Sequence, residues 1–363
     1  MRVLVADDLG FMRIALRQII ETDGDMRVVG EARNGEEAVA LALELKPDVV
    51  TMDVEMPVLD GIEATRRILG GVTPKPIVIM VSSHTQAGAL ATIKALQFGA
   101  ADFVSKESAF AKTDLGRIDS ELRAKIRVLV KRRPPDDVSP RAMSAPVRAA
   151  GAERAGAAEP LVRSPCAPPG PVDLIAIAVS TGGPSTLSVL LRALGPIAPP
   201  IVVAQHMPQF FTACLAESLS QDTGLVVREG EHRKFAAPGE VTILPGAKDA
   251  VVAPREGGFE LRQAQSDGAV HPSADLLFES VAMAARNPVA VILTGMGNDG
   301  TRGAARFAHR KLPVLVQRPD TCIVGGMPGA AIEAGVASES LTLEEIARKL
   351  REWAAPNFRS RKA

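Results

Sequence analysis

The sequence predicts an α/β protein with two doubly wound domains, an N-terminal (βα)5 domain and a C-terminal Rossmann-like domain. Apolar runs of strand length alternate with helical patterns in both halves of the chain, as they do in doubly wound sheets. The stretch between the halves is rich in proline, alanine, arginine and serine and has no period, which is typical of a linker. We therefore expect a first domain at 1–131, a linker at 132–171, a second domain at 172–354 and a basic tail at 355–363.

The first domain is predicted to contain five strand–helix units. Apolar runs predict strands at 2–6, 26–31, 48–53, 76–82 and 101–105. Amphipathic segments predict the helices between and after them, at 10–22, 34–45, 61–70, 88–98 and 115–131. Five units of this length are typical of one compact parallel sheet covered by helices on both faces.

The second domain is predicted to have a mainly parallel sheet with an antiparallel hairpin region. The strand candidates lie at 173–179, 200–204, 225–229, 241–244, 250–253, 259–264, 288–294 and 313–317. The middle group is short and interrupted by glycine and proline, which favours antiparallel hairpins. The outer strands are separated by helical patterns, which favours parallel pairing.

The composition argues against several classes of protein. The 42 basic and 42 acidic residues of the 363-residue chain balance, so we expect no general affinity for nucleic acid. The chain lacks an apolar run of about 20 residues, the length that spans a bilayer, and its N-terminus lacks a signal-peptide core. Cys166, Cys214 and Cys322 are widely spaced, which suits a reducing cytoplasm. We expect a cytoplasmic protein without direct membrane insertion.

Carboxylates lie at the ends of two predicted strands of the first domain. Asp7 and Asp8 close the first strand, and Asp53 closes the third. The carboxyl ends of neighbouring parallel strands meet at one sheet edge, where oxygen ligands of this kind suit Mg²⁺. Ser82 ends the fourth strand and Lys106 follows the fifth. The sequence therefore predicts a hydroxyl and an ammonium beside Asp53, which suit a phosphoryl group on that carboxylate.

The first domain resembles the receiver domain of two-component response regulators over residues 1–131. The resemblance implies that Asp53 is the phosphoacceptor. It also implies that Asp8, Asp53 and the backbone carbonyl of Glu55 bind Mg²⁺, with Asp7 assisting.

The resemblance extends to the residues that would contact a phosphoryl group. Ser82 and Lys106 match the family positions that make this contact. Two positions depart from the pattern: Glu107 follows the lysine where the family usually has proline, and Phe103 stands at the switch aromatic position.

A serine follows the first apolar run of the second domain. The run ends at Val179 and is bounded by Pro171 and glycines, which predicts a strand buried on both faces. Pro184 suits the start of the helical segment that follows. Ser180 is thus placed on a tight strand-to-helix turn, where backbone N–H groups and the helix end favour an oxyanion. This turn alone is equally consistent with a capping serine, a phosphate-binding turn or a nucleophile.

Two other polar side chains follow strands in the same way. His206 ends one predicted strand run and Asp299 follows another. A serine nucleophile needs a base to remove its proton and an acid to orient that base. The Ser–His–Asp order differs from that of chymotrypsin and of the α/β-hydrolases, and the Gly-x-Ser-x-Gly elbow is absent. Three strand ends on one edge can still converge, and His271 lies in a Pro/Ser loop able to line a cleft.

The segment around Asp299 also matches a second motif. Gly295-Met-Gly-Asn-Asp-Gly300 has the Gly-x-Gly-x-x-Gly pattern between a strand and a helix, and Asp320 follows at about the expected spacing, as in dinucleotide-binding folds. However, the motif occurs late in its domain and carries a carboxylate inside the turn. A nucleotide-binding oxidoreductase is the competing enzyme hypothesis. A non-enzymatic response regulator is the other alternative, although the neutral second half offers no basic recognition helix.

Three segments of the second domain resemble the catalytic domain of the chemotaxis protein-glutamate methylesterase and protein-glutamine glutaminase family. They are Ser180–Gly183, Gln205–Pro208 and Leu293–Gly300. The similarity extends over about residues 173–352 and implies hydrolysis of glutamate γ-methyl esters, and deamidation of specific glutamines, on the cytoplasmic domains of methylated chemoreceptors. It also implies a chemotaxis histidine kinase as phosphodonor, a receiver that blocks the cleft until phosphorylated, and a role in chemotactic adaptation or a related pathway.

The resemblance assigns roles to five residues of the second domain. It implies that Ser180 is the nucleophile, His206 the general base and acid, and Asp299 the orienting acid. The backbone at Met296 matches part of the oxyanion hole, with Thr181 alongside. No cofactor is implied for the hydrolase, and Mg²⁺ belongs to the receiver only.

Two loops depart from the family pattern. The loop 270–273 has His271 where the family usually has arginine before Pro-Ser, and 245–249 ends in Asp249 where the family's Pro-Gly-Asp-x-His segment has histidine. Both changes fall outside the predicted triad and alter the expected contacts of the substrate groove.

Overall fold

The computed structural model describes residues 1–83, 85–106, 115–131, 166–268 and 270–356. Glu107, most of the predicted linker and the end of the predicted tail lie outside the described residues.

The first domain is a five-stranded parallel sheet with helices on both faces. Its strands are β1 (Arg2–Ala6), β2 (Arg27–Ala32), β3 (Val49–Asp53), β4 (Ile77–Ser82) and β5 (Asp102–Ser105). Its helices are α1 (Gly10–Glu21), α2 (Gly35–Leu45), α3 (Gly61–Gly71), α4 (Gln86–Gln97) and α5 (Leu115–Lys131). The strand order is β2-β1-β3-β4-β5. The predicted (βα)5 architecture is confirmed.

Side-chain caps set the starts of three of these helices. Asn34, Asp60 and Thr85 each accept a hydrogen bond from a backbone N–H in the first turn of the helix that follows, which satisfies a donor that the helix itself cannot. The Thr85 cap starts α4 two residues before the predicted boundary at 88.

The second domain has ten strands and six helices among the described residues. Its strands are β6 (Leu174–Val179), β7 (Ile201–Gln205), β8 (Val226–Glu229), β9 (Phe235–Ala236), β10 (Glu240–Ile243), β11 (Asp249–Arg255), β12 (Gly258–Ala264), β13 (Pro288–Ile292), β14 (Val314–Gln317) and β15 (Glu339–Leu341). Its helices are α6 (Gly183–Leu194), α7 (Phe211–Thr223), α8 (Ala274–Ala284), α9 (Thr301–His309), α10 (Gly326–Glu333) and α11 (Leu343–Ala354).

Seven of these strands form one parallel sheet in the order β15-β14-β13-β6-β7-β10-β8. The chain runs outward from β6 through β7, then returns to the other side of β6 with β13. The strand order therefore reverses beside β6, and this switch point is where open α/β sheets bind ligands.

The expected extent of the hairpin region was wrong. The segments predicted at 225–229 and 241–244 are β8 and β10, which pair parallel to each other and belong to the main sheet. The antiparallel sheet contains only β11, β12 and the two-residue β9. Glycine and proline mark chain reversals but do not specify which strands pair after them. In this chain β9 lies between β8 and β10 in sequence but pairs in the antiparallel sheet. The connection from β8 to β10 therefore passes outside the main sheet, and the two strands run in the same direction.

Helices α4 and α5 and strand β5 lie on the side of the first domain that contacts the second. The Phe103 ring of β5 stacks on Phe211 at the start of α7, with centroids 4.5 Å apart and planes 10° apart. Gln97 of α4 donates a 2.7 Å hydrogen bond to the Ser218 hydroxyl of α7. No helix within the described ranges combines the length and apolarity needed to cross a membrane.

Candidate active site and acidic pocket

The three predicted triad residues follow three adjacent strands of the main sheet. Ser180 comes directly after β6, His206 directly after β7, and Asp299 lies in the loop after β13. Because β6 lies between β13 and β7, all three loops leave the sheet at the same edge.

Asp299 and His206 form a hydrogen-bonded pair. Asp299 Oδ2 lies 2.8 Å from His206 Nε2. The same carboxylate accepts backbone hydrogen bonds from Ala274 and Asp275 at the start of α8, at 2.7 and 3.0 Å. Burial alone would raise the pKa of Asp299, but the His206 hydrogen bond and these backbone donors hold that pKa below its usual value. The ionised carboxylate accepts a hydrogen bond from Nε2–H, which leaves His206 Nδ1 as the nitrogen with a free lone pair.

The Ser180 turn is held by backbone hydrogen bonds. Ser180 donates from its N–H to the carbonyl of Thr294, and its own carbonyl accepts from Gly183 at 2.8 Å. Gly182 has φ of +77°, a conformation that a side chain would strain. Ser180 and His206 line one cavity of about 460 Å³. Within the described part of the chain the Ser180 hydroxyl does not hydrogen-bond His206. The two residues therefore line one cavity without a direct hydrogen bond between their side chains.

The segment that contains Met296 lies directly against Ser180. A Cβ on Gly295 would sit 2.8 Å from Ser180 Cβ, so only glycine permits this approach. The Thr294 hydroxyl donates to the carbonyl of Thr181 at 2.9 Å. Met296 lines the same cavity as Ser180. The structure therefore brings together the two stretches of backbone on which the sequence placed an oxyanion hole.

The geometry argues against the dinucleotide-binding alternative. The Gly300 N–H, which the motif would offer to a pyrophosphate, donates instead to Asp299 Oδ1 at 3.0 Å. An ionised carboxylate in this position repels a phosphate. Asp320 pairs with the neighbouring Arg318 at 2.8 Å.

The cavity has a wall from the first domain. The Thr181 hydroxyl donates to Asp102 Oδ2 across the domain boundary at 2.9 Å, in a buried setting. Asp102, Phe103 and Lys125 line the cavity together with the Ser180 turn. Thr181, which the resemblance placed beside the oxyanion hole, thus forms a side-chain hydrogen bond with the first domain.

The Lys125 ammonium connects the residues of this wall. It lies 3.1 Å from Asp102 and 2.9 Å from Glu121, and it donates to the Phe103 carbonyl at 2.7 Å. Although burial would lower the pKa of Lys125, the charges of Asp102 and Glu121 hold that pKa above its usual value. No sequence motif marked this network, because its members pair only after β5 and α5 pack.

The acidic pocket of the first domain contains the predicted carboxylates. Ligand oxygens of Asp7, Asp8 and Asp53 all lie within 4.8 Å of one another. Lys106 Nζ lies 2.7 Å from Asp53 and 3.0 Å from Asp7. Burial raises the pKa of Asp53 to about 6, and the charge of Asp7 adds to the rise while Lys106 opposes it. Clustered carboxylates that one ammonium only partly neutralises fit a divalent cation held by oxygen ligands.

The remaining residues of this pocket lie at neighbouring positions. The Glu55 backbone hydrogen-bonds to the Asp53 carboxylate, so its peptide is adjacent to the cluster. Ser82 ends β4, beside β3, and its hydroxyl lies 3.2 Å from the carbonyls of Ser83 and Gly88. The structure thus places the hydroxyl at the expected strand end, pointed at the start of α4.

One pair beside the active site was not predicted. His271 Nδ1 lies 3.0 Å from both oxygens of Asp249, and His271 lines the cavity of Ser180 and His206. The sequence indicated that His271 could line a cleft and that both residues fall in loops that depart from the family pattern, but it did not predict that the two side chains pair.

Comparisons with known proteins identify relatives of both halves. A family model described as CheB methylesterase matches residues 175–350, and one described as response regulator receiver domain matches residues 3–115. A protein-glutamate methylesterase/protein-glutamine glutaminase 1 of Saccharophagus degradans is 37% identical, over 96% of this chain and 98% of its own. A protein-glutamate methylesterase/protein-glutamine glutaminase of Thermotoga maritima is 39% identical, over 97% of this chain and 98% of its own. One of a Nocardioides species is 39% identical, over 95% and 93%.

Proposed function

The chain belongs to the CheB methylesterase family, and from that premise we propose that Ser180, His206 and Asp299 carry out its chemistry. It is a protein-glutamate methylesterase and protein-glutamine glutaminase with a phosphorylation-regulated receiver domain. The observation that best supports the residue assignment is the Asp299–His206 hydrogen bond at the wall of the cavity that Ser180 also lines.

The first half-reaction acylates Ser180. His206 Nδ1 takes the hydroxyl proton as Oγ attacks the side-chain carbonyl carbon of the substrate. The tetrahedral intermediate collapses, the bond to the leaving oxygen or nitrogen breaks, and the imidazolium returns its proton to that atom. Methanol leaves from a glutamate methyl ester, and ammonia leaves from a glutamine. Asp299 stabilises the imidazolium and keeps Nδ1 directed toward the serine.

The second half-reaction releases the product. His206 removes a proton from water, the hydroxide attacks the glutamyl ester on Ser180, and the bond to Oγ breaks. The proton returns to Oγ, and a glutamate carboxylate is left on the substrate. Both substrates give the same acyl intermediate, so one triad serves both activities.

The negative charge of each tetrahedral intermediate needs donors beside Ser180. The backbone N–H groups at Met296 and Thr181 are the proposed donors, because both stretches of backbone adjoin the serine. Donors that are fixed before the reaction begins stabilise this charge more than donors that must first reorient.

The receiver site is proposed to work as a phosphoryl switch. Asp53 is the proposed phosphoacceptor, and Asp8, Asp53 and the Glu55 carbonyl, with Asp7 assisting, are the proposed holders of Mg²⁺. The ion, when bound, neutralises charge on the transferring phosphoryl group. Lys106 already contacts Asp53 and is proposed to pair with the phosphoryl oxygens, with Ser82 as a further contact.

Lys106 directly follows β5, the strand that carries the cavity wall. Asp102 and Phe103 lie at the opposite end of this strand and contact the second domain. A shift of Lys106 toward a phosphoryl group would therefore be transmitted along β5 to these contacts. We propose that this loosens the wall and opens the Ser180 cavity to a protein substrate. The domain boundaries expected at 131 and 172 remain predictions.

The substrate and partners follow from the family. We propose that the substrates are the cytoplasmic helices of methylated chemoreceptors, that a chemotaxis histidine kinase supplies the phosphoryl group, and that the protein works in the cytoplasm. The test is methanol release from methylated receptor, with and without a small-molecule phosphodonor. Release that increases with the phosphodonor supports the proposal, and no release under either condition refutes it.

A further inference from the structure

The N-terminus of α8 supplies backbone donors to two carboxylates, and each carboxylate holds a histidine. Asp299 accepts from Ala274 and pairs with His206. Asp249 accepts from the adjacent Ser273 N–H at 2.7 Å and pairs with His271. Both histidines line the Ser180 cavity. The cavity therefore has a second carboxylate–histidine pair that the esterase mechanism does not use.

Asp249 is built as a fixed acceptor. Its side chain is only 2% exposed, and it also accepts from the N–H and the hydroxyl of Ser266, each at 2.8 Å. Burial alone would raise the pKa of Asp249, but the hydrogen bonds from His271, Ser273 and Ser266 hold that pKa below its usual value. The carboxylate is ionised, and backbone and hydroxyl donors fix its position. The hydrogen bond to Asp249 therefore also fixes the orientation of the His271 ring.

The contact with Asp249 determines which ring nitrogen of His271 carries the hydrogen. An ionised carboxylate only accepts, so the Nδ1 that faces it carries the hydrogen. In the neutral ring the other nitrogen, Nε2, is then an acceptor. No residue that the structure describes hydrogen-bonds this Nε2, and the His271 side chain is 35% exposed. His271, which lines the cavity, thus has a ring nitrogen whose lone pair meets no donor among the described residues.

We propose that His271 is a specificity-determining residue that accepts a hydrogen bond from the side-chain amide of a glutamine substrate. The inference rests on the proposed function and deepens it. A carboxamide has two N–H donors and a methyl ester has none, so only the glutamine can use this acceptor. His271 therefore favours deamidation over demethylation, and Asp249 is the positioning residue that fixes its tautomer. His271 takes no proton from the reaction, since His206 serves both leaving groups.

The test compares both activities in full-length protein treated with a phosphodonor. Methanol release and ammonia release are measured on receptor fragments in the same buffer. His271→Ala is expected to lower kcat/KM for deamidation about 3- to 10-fold, the value of one net hydrogen bond, and to leave demethylation within about 2-fold. His271→Arg replaces the acceptor with donors only and is expected to lose the same preference. His271→Gln keeps an acceptor oxygen and is expected to restore part of it.

The matched control is His309→Ala, which removes an exposed histidine on α9 and is expected to change neither activity. Demethylation also reports whether each variant is folded. A parallel fall in both activities, or no change in either with His271→Ala, overturns the inference while the proposed function stands. If the unaltered chain releases neither product, the proposed function itself fails, and the inference fails with it.

Discussion

The Thr181 hydroxyl donates a 2.9 Å hydrogen bond to Asp102, and so joins the residue next to the proposed nucleophile to the receiver strand next to Lys106. Lys106 in turn contacts the proposed phosphoacceptor Asp53 at 2.7 Å. The path from the proposed phosphoacceptor to the proposed active site thus runs along one strand, β5. A short path of this kind makes the regulatory contact accessible to single substitutions.

Ser180→Ala is expected to abolish methanol release from methylated receptor, with a fall of at least about 10³-fold, because no other nucleophile replaces the hydroxyl. Phosphorylation of the receiver is expected to remain, since Asp53 lies in the other domain. Methanol release and phosphate incorporation are measured on the same preparation. Retained methanol release would contradict the assignment of the nucleophile.

Asp299→Asn is expected to lower kcat roughly 10²- to 10⁴-fold with little change in KM. An asparagine amide can donate to His206 Nε2, which moves the ring proton to Nδ1 and removes the base that Ser180 needs. The neighbouring Asp275→Asn is the control, because Asp275 accepts from Gly303 and makes no contact with His206 among the described residues. Equal losses in both variants would indicate damage to α8 instead of a wrong tautomer.

Phe103→Leu is expected to raise the basal methylesterase activity of the unphosphorylated chain about 2- to 10-fold. The substitution removes the stack on Phe211, which is worth about 0.5–1.5 kcal/mol beyond area burial, and so weakens the closed arrangement of the domains. Activity with a saturating phosphodonor is expected to change little. Phe11→Leu, at an exposed position on α1, is the control. Basal activity that is unchanged in both variants would argue against the Phe103 contact as part of the block.

Asp53→Asn is expected to stabilise the receiver at high pH. The folded pKa of Asp53 is about 6, above the unfolded value of about 3.9. The folded state therefore binds the proton more tightly, and stability falls as the pH rises from about 4 through 6. The variant lacks this penalty, so we expect its free energy of unfolding to be about 1–2 kcal/mol higher at pH 8 and equal below about pH 4. Urea unfolding in Mg²⁺-free buffer measures the free energy of unfolding of both proteins. A difference between them that does not change with pH would contradict the ionisation of Asp53 as its cause.

The sequence was sufficient to predict the elements that local patterns and topology govern. Ser180, His206 and Asp299 each follow an apolar strand, and parallel strands place their carboxyl ends at one edge. Their convergence therefore required only the prediction of a parallel sheet. The same rule placed Asp7 and Asp53 together in the receiver.

The features that the sequence did not predict depend on contacts between distant segments. The direction of β8 and β10 is set by β9, whose two residues are too few to give a period. The Thr181–Asp102 hydrogen bond joins residues 79 positions apart in different domains. Asp249 and His271 pair although 22 positions separate them, and neither residue alone indicates its partner. Pairings of this kind follow from packing, which local patterns do not encode.

Under the proposed mechanism, the cavity wall contributed by the receiver makes regulation depend on the size of the acyl donor. The cavity has a volume of about 460 Å³, whereas the proposed substrate is an α-helix, which with its side chains is about 10–12 Å across. We therefore expect a small chromogenic ester to enter the Ser180 cavity of the unphosphorylated enzyme, whereas a receptor helix can enter only after the receiver wall has moved. An assay with such an ester reports the chemistry of Ser180 without the switch, and the effect of phosphorylation emerges only with a substrate as large as a helix.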